Sequence, residues 1–309
     1  MPNGNVTLLE SVKDSSDKLR RGVVETIIQE SSPLQRLPQV PIMGNAYKID
    51  VEGDIIEPDF RDVNEGYTAK WASDRETYWG VAILGVEVKV DNFIVNTRGD
   101  KRSTKARMFA KAAKGAAHKY NKWFFDGTGT AKDFKGLNAL IEDGHGQQFT
   151  TGVNGGAITL EGLDEAHDLL RTGEADQILS SRRVRRAITN LGRNLANGYS
   201  MIDVGDNEFG KQVLRWNGIE IGIVGDDPSG NLILDNDETV GTSTACSSLY
   251  FLRYGEDHVH GIMGANGHMD VRDFGETEAA PEHLGRMEFY PGLVVADQYA
   301  VVRYAGITD

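Results

Sequence analysis

Two periodicities run along this chain and divide it into elements. Residues 6–30 place Leu9, Val12, Leu19, Val23, Ile27 and Ile28 at helical spacing, with a break at Asp14-Ser15-Ser16-Asp17, and predict a broken amphipathic helix. Pro33 is expected to stop it, and Pro33, Pro38, Pro41 and Gly44 predict an extended arm. Tyr47 to Glu52 and Gly85 to Asp91 alternate with period two, and an acidic stretch poor in aliphatic residues, 54–77, lies between them. This reads as a long two-stranded ribbon with a polar tip. Such a ribbon is marginally stable alone and needs a surface to lie against.

The clearest helix spans 103–125. Phe109, Ala112, Ala113, Ala116, Tyr120, Trp123 and Phe124 form one apolar stripe, while Lys111, Lys114, His118 and Lys122 step along another face. Ser103 or Thr104 caps its start, and Asp126-Gly127 ends it. Beyond it the pattern predicts a turn into the apolar segment 134–141, a glycine-rich loop at 144–156 and a helix over 159–171 capped by Thr159. A buried strand at 177–179 and a basic helix over 182–195 follow. Strands are expected within 212–234 and at 249–252, a loop over 256–285, and a closing strand pair at 293–304.

Composition narrows the class. The 309 residues are 39% hydrophobic and 26% charged, the balance of a folded protein. No apolar run approaches ~18 residues, so no membrane-spanning helix is expected. The first ten residues lack the basic and apolar regions of a secretory signal. Cys246 is the lone cysteine, which excludes an intramolecular disulfide, suits a reducing cytoplasm, and reads as a packed thiol before an apolar strand. A net charge of -13 argues against tight wrapping of nucleic acid.

That charge is segregated. Residues 50–65 hold Asp50, Glu52, Asp54, Glu57, Asp59, Asp62 and Glu65 against one base, Arg61. Residues 98–122 hold Arg98, Lys101, Arg102, Lys105, Arg107, Lys111, Lys114, Lys119 and Lys122 against one acid, Asp100. Two such surfaces are either solvated faces of one molecule or a mutual contact. If they meet between copies, each subunit grips the next head to tail, which generates rings or open lattices. A second basic run, Arg182, Arg183, Arg185, Arg186 and Arg193, reads as a solvated helix face rather than a phosphate site.

Catalytic motifs are absent: there is no phosphate-binding loop, no nucleophile elbow and no zinc-protease helix. Gly127-Thr128-Gly129 follows a helix and is too short for a dinucleotide fingerprint. His258, His260, His268 and Asp270 lack a ligand spacing and read as ordinary loop residues. Asp226-Asp227 and Asp235 to Glu238 read as acidic turns. No catalytic residue, metal or cofactor is assigned.

The order of these pieces resembles the major capsid proteins of tailed bacteriophages, the Hong Kong 97-type fold. Trp123-Phe124-Phe125-Asp126-Gly127 followed by Phe134-Lys135-Gly136-Leu137 looks like that family's passage out of its spine helix. Gly292 to Val295 and Ala300 to Arg303 are similar to its returning strand. The resemblance implies an α+β fold with an N-terminal arm (1–44) and an extended β-hairpin loop (45–97). It also implies a peripheral domain (98–150 and 280–309) with spine helix 103–125, and an axial domain (151–279). It implies that the loop reaches a neighbour's helix, with Glu52, Asp54, Glu57, Asp59 and Asp62 facing Arg102, Lys105, Arg107, Lys111 and Lys114. Function by resemblance is structural: hexamers and pentamers of this chain in an icosahedral shell around double-stranded DNA, bound without sequence specificity. The subunit is made in the host cytoplasm and resides in the virion, with separate scaffolding and portal proteins and no membrane partner. The family's Lys–Asn cross-link has no match; Lys70 sits near the loop tip without an assignable Asn. Alternatives are an encapsulin shell of the same fold, and a soluble α+β enzyme with its site in 255–285.

Overall fold

The computed structural model describes residues 31–51, 56–71, 75–97, 101–130, 132–171, 173–194, 202–206, 212–265, 269–278 and 280–308. The helix expected over 6–30 lies outside them. Pro33 begins a helix of its own. It sits in the first turn of α1 (Ser32–Arg36), where a missing N–H is tolerated, and the Ser31 side chain accepts from the Leu34 amide. Leu34 and Leu37 are buried, so this part of the expected arm packs into the core through a short helix before it becomes extended at 39–42.

The chain continues through β1 (Gln39–Ile42), β2 (Ala46–Val51), β3 (Arg75–Gly80), β4 (Leu84–Asp91), α2 (Asn92–Thr97) and the long helix α3 (Lys101–Asp126). Next come α4 (Leu137–Glu142), β5 (Gln147–Thr150), β6 (Gly156–Ala157), α5 (Leu160–Asp168), β7 (Gln177–Ser180) and α6 (Arg182–Asn194). The remainder is strand: β8 (Ile202–Asp206), β9 (Gln212–Trp216), β10 (Ile219–Ile223), β11 (Glu238–Val240), β12 (Ser243–Leu252), β13 (Val259–Gly264), β14 (Asp270–Glu276), β15 (Glu282–Phe289), β16 (Pro291–Val295) and β17 (Val301–Thr308).

Nine strands form the main sheet. Its path runs β5-β17-β12-β7-β10-β9-β8, with β11 on β12 and β6 on β17. Side chains alternate across it. Leu179, Tyr250, Leu252 and Val301 enter the core that holds α3, while Ile178, Leu249, Phe251 and Val302 enter the core that holds α5 and α6. A strand covered on both faces needs apolar residues at every position, which is why 249–252 reads as an unbroken apolar run. Polar bonds tie the first described residues to the long helix and to this wall: Ser31 donates to Asn121 of α3 at 2.5 Å, and Arg36 pairs with Glu220 of β10 at 2.5 Å.

Two expectations change. The ribbon pairs β2 with β3, from Ala46↔Gly80 to Val51↔Arg75. The strand at 84–91 leaves it and pairs with β15 in a separate β14-β15-β4 sheet. The stretch 256–285, expected to be a loop, supplies β13, β14 and part of β15. β14 is exposed or half-exposed along its whole length, so it carries no apolar alternation to announce it.

Helix α3 is 26 residues, about 39 Å at 1.5 Å per residue. Of the predicted stripe, Phe109, Ala113, Tyr120 and Phe124 are buried and Ala112, Ala116 and Trp123 half-buried, while Ala117, outside the predicted set, is buried with them. At its exit the chain turns back on itself. Gly127 N–H donates to Trp123 O at 3.0 Å, and Gly136 N–H donates to Gly127 O at 2.8 Å. A Cβ on Gly136 would stand 2.6 Å from the Trp123 carbonyl oxygen and 2.7 Å from that of Phe125. Two backbones cross here at a distance that only glycine permits, which is the physical content of the Gly127 and Gly136-Leu137 passage. Gly136→Ala is therefore expected to destabilise the subunit by about 1–3 kcal/mol through overpacking. Gly115→Ala, whose Cβ would meet nothing within 4 Å, is expected to stabilise α3 by about 0.5–1 kcal/mol. Urea or thermal unfolding of the two variants measures both signs.

Candidate functional site

The ribbon is rooted in the core and bare at its tip. Trp79 of β3 is buried with its ring 5.1 Å from that of His145, and Tyr47 of β2 meets His260 edge-on at 5.8 Å. Beyond this root every described residue from 56 to 71 is exposed. The tip is held by its own short-range bonds. Lys70 pairs with Asp59 at 2.7 Å and donates to the Glu57 carbonyl at 3.1 Å, and the Asp62 amide donates to the Glu65 carboxylate at 3.1 Å. Arg61 stacks over Tyr67 at 5.1 Å. Of the acidic candidates, Glu57, Asp59 and Asp62 are thus solvent-facing. Glu52 and Asp54 lie outside the described residues.

The tip is also apolar, which the reading of 54–77 as acidic overlooked. Trp71 is 88% exposed, Tyr67 72% and Val63 83%, with Phe60 and Ile56 beside them. Burying a large apolar side chain gains about 1.5–3 kcal/mol. A contiguous exposed set of this kind marks a contact surface. The signal was available as aromatics at 60, 67 and 71 inside a charged segment.

Opposite charge lies on α3. At 100° per residue, Arg107, Lys111, Lys114, His118 and Lys122 share an arc of roughly 80°. The C-terminal end of that stripe is engaged within the chain. His118 Nδ1 lies 2.6 Å from the Asp226 carbonyl oxygen, and Lys122 pairs with Asp227 at 3.2 Å. Lys105, off the stripe, pairs with Asp273 at 2.9 Å. The N-terminal end presents Arg107, Lys111 and Lys114 to solvent. Among the described residues Arg107 and Lys111 make no ion pair. The Arg102 side chain lies outside the described residues. Among the described residues the acidic and basic candidates do not meet within one chain: loop residues 56–71 are exposed, and Lys105 and Lys122 pair with Asp273 and Asp227.

Asp227 is the best-fixed of those carboxylates. Its Oδ1 accepts from the amides of Asn231 at 2.9 Å and Ser229 at 2.8 Å, and Lys122 bonds its other oxygen. The Asn231 amide, aided by Lys122 and Ser229 and opposed by desolvation, holds its pKa at about 2.

No three His, Cys, Asp or Glu side chains gather into a metal-holding group among the described residues. His260 is fully buried in β13, and burial pushes its pKa down to about 4. His258 sits 3.6 Å from Asp297, and His268 lies outside the described residues. Cys246 is buried.

No family model and no curated protein matches the sequence. Solved structures do match. The holo-SrpI encapsulin complex of Synechococcus elongatus aligns over 89% of this chain and 86% of that one, at 15% identity and a TM-score of 0.61. The capsid of a native GTA particle aligns over 90% and 91%, at 12% identity and 0.58. A structure of Microbacterium phage Oxtober96 aligns over 90% and 91%, at 15% identity and 0.56. The fold is therefore the Hong Kong 97 type that capsids and encapsulins share, as the order of elements predicts.

The Asp227 site has a pH signature. Its folded pKa lies below the ordinary aspartate value of about 3.9, so its contribution is fully present above about pH 4 and is lost as pH falls toward 2. Asp227→Asn is expected to flatten that part of the acid limb in urea melts taken between pH 5 and 2. An unchanged limb would refute the assignment.

Proposed function

We propose that this chain is the major capsid protein of a tailed phage. In this reading it is a structural subunit, not an enzyme, and assembles as hexamers and pentamers into an icosahedral shell around double-stranded DNA. Separate scaffolding and portal proteins complete the particle, and the protein resides in the virion. The observation that carries this is the loop tip at 56–71: on a fold shared with shells, it is rooted in the core, exposed at every described residue and furnished with large apolar groups and acids. A monomer has no use for such an arm, and a lattice does.

The fit for that arm is the helix of an adjacent copy. Arg107 and Lys111, with Lys114 beside them, form an exposed cationic strip for Glu57, Asp59 and Asp62. The apolar tip residues bury at the same contact. Glu52, Asp54 and Arg102 extend the same pairing, and Lys105 contributes through the Asp273 it already holds. The apolar part supplies most of the affinity, since exposed ion pairs give only about 0–1 kcal/mol each. The charges set register and suppress wrong pairings. The likeness to an encapsulin complex favours a second reading: the same shell with protein cargo in place of DNA.

Electron microscopy and light scattering of the purified full chain test this. Closed particles tens of nanometres across are expected, and a monomer or dimer at every concentration overturns the reading. Particles from the natural source then separate phage from encapsulin by holding double-stranded DNA or protein. Arg107→Glu with Lys111→Glu is expected to leave the melting curve in place and raise the concentration needed for shells by about tenfold or more. Adding Glu57→Lys and Asp62→Lys is expected to reverse that.

A further inference from the structure

Helices α5 and α6 carry matched charge patterns that neither uses within the chain. On α5 the exposed positions are Glu161, Asp164, Glu165 and Asp168, at spacing i, i+3, i+4, i+7. On α6 they include Arg182, Arg185, Arg186 and Arg193, at i, i+3, i+4, i+11. At 100° per residue each set falls within an arc of about 100°. Their opposite faces, Leu163 and Ala166 on α5 and Val184 and Ile188 on α6, enter one core under the same side of the main sheet. Among the described residues none of these eight charges forms an ion pair, whereas Arg183, half-buried beside them, is engaged.

The two helices also sit toward different ends of the sheet. α5 contacts β17, one strand in from the β5 edge, and α6 contacts β12, β10 and the opposite edge strand β8. One layer of the subunit thus has an acidic flank and a basic flank. A surface whose two ends are complementary to each other, and which satisfies neither end internally, pairs with a copy of itself. Because the ends differ, the contact is heterologous, and repetition by rotation closes a ring.

We propose that the arginine face of α6 docks on the acidic face of α5 in the next copy around a ring, a contact separate from the one between loop and long helix. It rests on the shell reading above. The chain's own acidic helix is the occupant favoured over nucleic acid, because both sets begin i, i+3, i+4 and span the same arc.

Three full-length proteins test it: wild type, Arg185→Glu with Arg186→Glu, and that pair combined with Asp164→Arg and Glu165→Arg. All four substituted side-chain positions are exposed, so unfolding curves are expected to coincide. The reversed pair is expected to need at least about tenfold more protein to form shells, as two attractions become two repulsions in every contact. The fourfold swap is expected to restore assembly. Normal shells from the reversed pair overturn this inference alone, including the outcome in which those shells merely lose bound DNA. A fourfold swap that folds but does not assemble overturns it too. Failure of wild type to form any shell overturns the shell reading, and this contact with it.

Discussion

A sheet that is wall to two cores constrains everything else in this molecule. β7, β12 and β17 send alternate side chains to opposite sides, so neither side can be left to water. One side must be roofed by the long helix and its companions, and the other by α5 and α6. Each roof is amphipathic by necessity: its inner face is spent on the sheet, and its outer face is left for charge. The cationic strip on α3 and the opposed strips on α5 and α6 are the outward consequence of that burial.

The most legible features were local. The stripe on α3 was readable because seven apolar side chains recur at helical spacing, and the start at Thr159 because its hydroxyl caps the turn that follows. Pairing partners were not readable. Gly85 to Asp91 alternates like a ribbon strand, but alternation gives a face and no partner, and its true mate is β15, far along the chain. β14 was hidden because both its faces meet solvent or nearly so. At the candidate site the segregated charges stood out in the sequence, but Phe60, Tyr67 and Trp71 did not. An aromatic residue in a polar stretch reads as core until a structure shows that nothing covers it.

The glycine crossing after α3 ties these scales together. Gly127 and Gly136 are set by backbone contact alone, yet they fix the direction in which the chain leaves a helix of about 39 Å. Asn138 then anchors the exit from both sides, donating to Asp126 at 3.1 Å and accepting from Tyr250 of β12 at 2.5 Å. Helix, turn and wall are thereby linked through one side chain.

The naked aromatic tip has a cellular consequence. A lone molecule carrying Phe60, Tyr67 and Trp71 in water is a solubility hazard, prone to indiscriminate clinging at the crowded concentrations of translation. On the loop-to-helix contact proposed above, the acids interleaved among them would act as gatekeepers, keeping like tips apart by repulsion until a cationic seat is offered. The arm would then be both adhesive and its own release liner, with the two chemistries mixed in sixteen consecutive residues.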